Sequence, residues 1–369
     1  MSICRLCMER EANSNEHIVL EALGGRRVTS NFLCVQCNNN QGGDIDNSLE
    51  KAYRLISVMI GAFRGNGNPV APVRHLSLPN GMRISLIHGG RPDGVPHQPV
   101  RVDQEGEGNP RLIAINARDE EHAAWLLYHQ CRRFGINAVD LRATQVESIS
   151  ESVGPFRRQE NYGGAQQFRS IAKMGFAAIV RSFGPDRVAI YQFDEVANWI
   201  HNGRGDGPLR QLSPELRSSI REFAGSEPGQ HVLIVLEDPL HQSTEAIFLA
   251  FGFICYRVEL APCTIGLPGA VIHVVDPRAQ THDFHTHERQ PVFPPLTGDA
   301  PEAQKAKQAG QEMLDFMSQA QNIYIQDHLR RAEENGEDVS AIRRQMENDE
   351  LVVEPVESGQ IIELVRERL

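Results

Sequence analysis

Four cysteines in two Cys-x-x-Cys pairs, Cys4/Cys7 and Cys34/Cys37, constrain this chain more than any other feature. A two-residue gap turns both thiolates of a pair toward one point. Two such pairs complete a tetrahedron of sulfur around zinc, at about 2.3 Å per bond. The segment between them, Met8 to Leu33, is then a loop pinned at its base. A unit this small buries too little apolar surface to fold unaided, and a structural zinc contributes roughly 10–16 kcal/mol of apparent binding energy. In a reducing cytoplasm such pairing reads as metal ligation rather than as disulfides. Cys131, Cys255 and Cys263 lie apart and read as buried thiols.

The residues inside the loop are more than a knuckle needs. Glu16-His17 opens the strand-like run Ile18-Val19-Leu20, and Ala22-Leu23-Gly24-Gly25 gives a turn in which backbone can take positive φ. Ser30-Asn31-Phe32-Leu33 leads into the second pair, and Asn38 follows Cys37 directly. After Gly42-Gly43 a helix is expected from Asp44 or Asp46 to about Phe63, with Leu49, Tyr53, Ile56 and Ile60 on one face. The order is hairpin, then helix, with zinc at the base.

In these residues the head resembles the HNH endonuclease family, in the subgroup whose ββα-metal site is braced by four cysteines. The matching features are Glu16-His17, the Gly24-Gly25 turn, Asn31 before the second pair, and Cys37-Asn38 with Gly42 and Asp46 downstream. The resemblance covers about residues 1–63. It implies that His17 is the general base, that Asn31 positions the loop and the histidine, and that Glu16 and Asn38 hold a catalytic magnesium or manganese ion. Two positions depart from the family's usual residues: asparagine stands at Asn38 where histidine is common, and glutamate at Glu16 where aspartate is common. Asn39 and Asn40 are nearby substitutes for Asn38.

Phosphodiester hydrolysis needs those residue types. A neutral imidazole near pKa about 6.5 takes a proton from water at cellular pH. A divalent ion polarises the phosphate and stabilises the departing oxygen. Carboxylate and amide oxygens suit magnesium or manganese. The rival reading is a non-catalytic zinc knuckle that binds nucleic acid or protein. Glu16-His17 is then a capping or surface pair, and Asn31 an ordinary turn asparagine.

The remaining chain is harder to read. Hydrophobic content of 40% and charged content of 23% are near globular averages, and 369 residues suffice for two or three domains. No window approaches the roughly 18 apolar residues of a membrane span, and no basic-then-apolar leader precedes Cys4. The expectation is a cytoplasmic protein without membrane contact. The net charge of −11 argues against chain-wide binding to nucleic acid, but residues 301–369 hold fifteen Asp/Glu against eight Lys/Arg, so most of that charge sits in the tail.

Residues 66–298 read as a mixed α+β domain. Strands are expected at His75–Leu78 and Arg83–Ile87 around an Asn80-Gly81 turn, at Pro99–Val102, at Arg111–Ile115, and at His231–Leu236, Ala246–Ala250, Phe253–Leu260 and Ala270–Val275. Helices are expected at Asp119–Phe134 and Phe168–Phe183, with another opened by Ser213-Pro214-Glu215. The run His282, Asp283, His285, His287, Glu288 reads as a solvated loop, with metal binding as the alternative. Lys173, Arg169 and Arg181 read as a solvated helix face, with a phosphate-binding patch as the alternative. Residues 300–369 are expected to form a helical acidic tail, including Pro301 to about Asn335, Val339–Asn348 and a short helix near Ile361.

The fold class is therefore α+β: a zinc-stabilised ββα-metal domain over 1–63, a larger α+β domain over 66–298, and the tail. The expected function is metal-dependent cleavage of nucleic acid, double-stranded DNA being the family's usual substrate, in a mobile-element or phage-defence setting that the resemblance alone implies. A homo-oligomer is left open.

Overall fold

The structure is a computed structural model. It describes residues 2–77, 83–95, 100–103, 112–115, 120–135, 157–204, 209–211, 216–291, 293, 310–320, five positions between 323 and 333, 349–355 and 361–368. The Asn80-Gly81 turn, the Ser213-Pro214-Glu215 cap and the helix expected at Val339–Asn348 lie outside them.

The head begins as a two-stranded hairpin. β1 (Glu16–His17) pairs antiparallel with β2 (Val28–Thr29), Glu16 facing Thr29 and His17 facing Val28. The chain reverses through a 3-10 turn, Glu21–Leu23, that ends at Gly24 with φ of 89°. At Gly25 a Cβ would fall 1.8 Å from the carbonyl oxygen of Val19, so the double glycine is fixed by close backbone approach.

α1 (Val35–Gln41) starts at the second cysteine pair, earlier than the expected start near Asp44. Cys34 is extended, and its sulfur accepts the N–H of Cys37 at 3.4 Å, so the knuckle itself caps the helix. α1 continues through a π turn, Gly42–Asp46, into α2 (Asn47–Met59). The expected order of hairpin and helix, with sulfur at the base, is present.

Small antiparallel units follow: β3 (Val73–Ser77), β4 (Arg83–Ile87) and β5 (Arg91–Val95) in one sheet, then β6 (Val100–Asp103) paired with β7 (Leu112–Ile115). α3 (Glu120–Phe134), β8 (Arg157–Asn161), α4 (Ala165–Phe183), α5 (Asp194–Asn202), β9 (Leu209–Gln211) and α6 (Leu216–Ala224) come next. The main sheet adds β10 (His231–Asp238), β11 (Ser243–Ala250), β12 (Ile254–Ala261), β13 (Ala270–Asp276) and β14 (Thr281–His287). Its order is β14-β13-β10-β11-β12-β9, antiparallel throughout.

The sheet is covered on both faces, which explains the unbroken apolar run of β10. Leu233 and Val235 point to the face under α4; Val232, Ile234 and Leu236 point to the face under α6, beside Leu216 and Ile220. Helix α4 is the hub. Gly175 lies in its interior because a Cβ there would come within 2.8 Å of the Cβ of Ala246. On its other side α4 packs against the head: Phe176 meets Phe32 edge-on at 6.3 Å. Cys4, Leu33, Ile45 and Ile56 of the head share one continuous core with Ile171, Phe176, Phe248 and Leu260.

Two expectations change. The histidine-rich run is not a loop but strand β14, in full register with β13 from Asp276↔Thr281 to Ala270↔His287. The segment around Ile361 is not helical: β16 (Ile361–Arg368) pairs with β15 (Asp349–Pro355) and with β8. Residues 310–320 are helical as expected. Among the described residues no helix is long and apolar enough to cross a membrane.

Two imidazoles are sealed in this core. His231 and His273 are both fully buried, and burial pushes each down to about 3. Each is neutral in the fold but takes a proton in the unfolded chain below about 6.5. Their contribution is therefore intact above pH 6.5 and is lost as pH falls toward 3, at about 1.4 kcal/mol per pH unit for each ring. Urea midpoints between pH 7.5 and 4.5 should show this loss. His273→Leu should flatten the slope by removing one titrating ring, and it breaks no hydrogen bond among the described residues.

Candidate functional site

The four cysteines converge. Their sulfurs all lie within 4.8 Å of one another, with Cys7 and Cys34 at 4.0 Å. Cys4, Cys34 and Cys37 are buried and Cys7 is half-buried. The first knuckle turns at Met8, with φ of 54°, and its N–H donates to the carbonyl of Cys4. Burial opposes ionisation of Cys7, but the backbone N–H groups of Glu9 and Arg10 outweigh it and bring the thiol down to about 7. Burial, with the neighbouring sulfurs of Cys34 and Cys4, pushes Cys37 up. Four sulfurs this close ionise together only around a cation. A sulfur-only set of four fits zinc.

Glu16 and His17 part company on β1, because successive strand residues face opposite sides. Glu16 points inward and is 3% exposed. Its Oε1 accepts a hydrogen bond from Nζ of Lys173 at 2.6 Å. The same ammonium donates to Oδ2 of Asp46 at 2.5 Å, and Ser170 Oγ donates to the other oxygen of Asp46 at 2.6 Å. Lys173 is fully buried. Burial disfavours its charge, but Asp46 and Glu16 outweigh that and hold its pKa above the usual lysine value. Two carboxylates face one ammonium, and burial pushes Glu16 up.

The π turn sets this geometry. Asp44 and Asp46 face α4, where Gln166 donates to Asp44 Oδ1 at 2.7 Å and Arg169 lies 3.6 Å from Oδ2. Gln166, Ser170 and Lys173 fall at helical spacing on one face of α4, and the last two meet Asp46. Arg169 also donates to the carbonyl of Ile200 at 2.7 Å and is buried, so neither it nor Lys173 is a solvated face or a free phosphate patch.

His17 is half-buried and stays on the open side of the hairpin. Burial lowers its pKa, the Glu21 carboxylate opposes, and the Lys173 charge adds to the lowering. The ring is thus held neutral, the form that accepts a proton. Asn31 is exposed, in a left-handed turn with φ of 62°. Asn38 donates through Nδ2 to the carbonyl of Asn15 at 2.9 Å, which ties α1 to the loop ahead of β1.

This arrangement does not fit a divalent ion shared by Glu16 and Asn38. Oε1 of Glu16 already accepts a hydrogen bond from a fully buried ammonium, so a divalent ion beside it would meet a like charge, whereas Asn38 is tied only through its Nδ2. Among the described residues the only other convergent ligand group is Asp238, His241 and Glu245. There the Arg257 guanidinium lies on both carboxylates. From the sequence Lys173 is expected on a solvated helix face and Asp46 only as a matching feature of the head, and Ser170 has no expected role; their meeting with Glu16 is not foreseen. The available signal was a polar stripe, Gln166, Ser170, Lys173, crossing an otherwise apolar helix.

Residues 3–54 match the family model described as HNH endonuclease. No curated protein and no solved structure matches the chain. The match ends inside α2, so α4 and Lys173 lie outside it. Because the sulfurs belong to the shared core, removing the metal should reach beyond the head. Purified protein is expected to carry one zinc per chain by elemental analysis. Cys37→Ser or chelation should remove it and lower stability, read from urea unfolding, by roughly several kcal/mol.

Proposed function

We propose that the head hydrolyses phosphodiester bonds of nucleic acid, double-stranded DNA first among them, with His17 as the general base. The observation that carries this reading is a half-buried imidazole, its pKa lowered by burial, on a hairpin whose base gathers four cysteine sulfurs, in a segment that matches the HNH endonuclease family. His17 takes a proton from water, the water oxygen bonds to phosphorus, and the bond to the 3′-oxygen breaks. Magnesium or manganese belongs to this family's chemistry. Such an ion would supply charge stabilisation on the phosphate, from ligands other than Glu16, whose Oε1 is bound to Lys173.

A cleft supports nucleic acid as the partner. It has a volume of about 590 Å³ and is lined by Lys51, Arg54, Arg74 and His75, with Ser48 and Gln167, and no carboxylate among its described lining residues. Arg54 is paired with Glu50 at 2.8 Å. Lys51, Arg74 and His75 are exposed. In a chain of net charge −11, such a concentration of cations suits a phosphate backbone.

The engagement of Glu16 by Lys173 favours a second reading, a zinc-braced module that binds nucleic acid and cuts nothing. Plasmid nicking in magnesium and in manganese separates the two. We expect cleavage by the zinc-loaded wild type and a loss of at least a hundredfold in His17→Ala at matched zinc content. The rate should hold below pH 6.5, because the pKa of His17 lies under that value. Binding without cleavage of plasmid, single strands or RNA would establish the second reading.

The cleft makes its own prediction. Lys51→Glu with Arg74→Glu should weaken DNA binding at least tenfold at low salt. It should also make the salt dependence shallower by about two in log–log slope, measured by fluorescence anisotropy.

A further inference from the structure

The seat at Glu16 and Asp46 is built and filled from within the chain. Its two carboxylates come from separate parts of the head, the first strand and the π turn, and the cation arrives on α4 from more than a hundred residues downstream. Lys173 lies 2.6 Å from Glu16 and 2.5 Å from Asp46, and Ser170 takes the remaining oxygen of Asp46. Ala172 and Met174, which flank the lysine, are fully buried, and Phe176 is locked against Phe32 of the head. Withdrawing the ammonium would require opening the core that the head and the sheet share. Lys173 is thus part of the resting architecture and not a removable plug.

We propose that Lys173 is a resident cation of the head: its ammonium occupies the Glu16–Asp46 seat in place of a divalent ion, and by pinning Glu16 it positions His17, the next residue on β1. The part concerning His17 rests on the reading of His17 as the base, whereas the occupancy of the seat does not. A buried ammonium of this kind is stable only with matched carboxylates, and here both partners sit at hydrogen-bonding distance. The consequence is a division of labour among cations. Zinc is set by the sulfurs, and the carboxylates that would select a harder ion are satisfied by the protein itself.

The test uses full-length, zinc-loaded protein and Mn²⁺, followed by EPR. Wild type and Glu16→Gln should bind Mn²⁺ equally, since Glu16 holds no ion. Lys173→Met should gain one Mn²⁺ site, and adding Glu16→Gln should abolish it. A wild-type Mn²⁺ affinity that falls tenfold or more in Glu16→Gln would overturn the proposal. That comparison decides the matter even where Lys173→Met fails to fold.

The positioning role is read from cleavage kinetics. Lys173→Met should lower kcat at least tenfold with KM unchanged. An unaltered kcat, or a loss that follows only the unfolded fraction, would remove that role. If wild type cuts nothing while the Mn²⁺ results come out as expected, the nuclease reading fails and the resident cation stands.

Discussion

The ammonium of Lys173 between Glu16 and Asp46 is the interaction on which the placement of the head depends. It joins three elements at one buried point: the hairpin, the π turn and the central helix of the larger fold. Such a cluster does not add much net stability over an apolar one, because desolvation offsets most of the attraction. What it adds is specificity. Leaving any one member unpaired costs about 3–5 kcal/mol, so slipped or rotated dockings of α4 on the head are strongly penalised. Apolar contacts such as Phe32 on Phe176 tolerate small shifts; an ammonium shared at hydrogen-bonding distance does not.

The same device recurs on the sheet. Asp238 and Glu245 lie across neighbouring strands with His241 nearby, and Arg257 reaches both carboxylates. Burial opposes ionisation of Asp238, but hydrogen bonds from His241, the backbone and Arg257 bring it down to about 2. In both places acidic groups that could form a metal site are satisfied by a cationic side chain from an adjacent element. At the cysteine quartet the exposed Arg10 guanidinium reaches Cys34 from the outside. Four sulfurs within 4.8 Å of one another are a donor set that fits zinc better than it fits a cationic side chain.

The parts of the fold legible in the sequence are those with local or spaced signals. Two Cys-x-x-Cys pairs define a metal site by spacing alone, and the structure brings their sulfurs together. The apolar runs of β10 to β13 announce strands because both sheet faces are covered. What was not legible depends on partners distant in the chain. β14 alternates exposed and half-buried polar residues, so its sequence carries no apolar period, and only pairing with β13 makes it a strand. Ile361–Arg368 has helix-compatible composition, and its strand state rests on pairing with β15 on one side and with β8, some two hundred residues away, on the other. Lys173 is the sharpest case. On a helix with one wet face a lysine belongs in water; α4 is covered on both sides, so the lysine needed carboxylates, and these lie in the head.

A zinc-braced hairpin and helix can be imagined as a module appended to any partner, and the family match, ending at residue 54, encourages that picture. The physical chemistry argues otherwise. Without α4, Glu16 and Asp46 would face each other unneutralised, and the apolar side of the head, including Ile45 and Phe32, would be open to water. The acidic residue of the Glu16-His17 pair is therefore governed by a residue far outside the matched segment. Whatever chemistry His17 performs, its electrostatic setting is shared: Glu21 from the head raises its proton affinity and Lys173 from α4 lowers it. The head and α4 form a single electrostatic unit: burial shifts both members of the pair, and a charge from outside the first 54 residues acts on each of them.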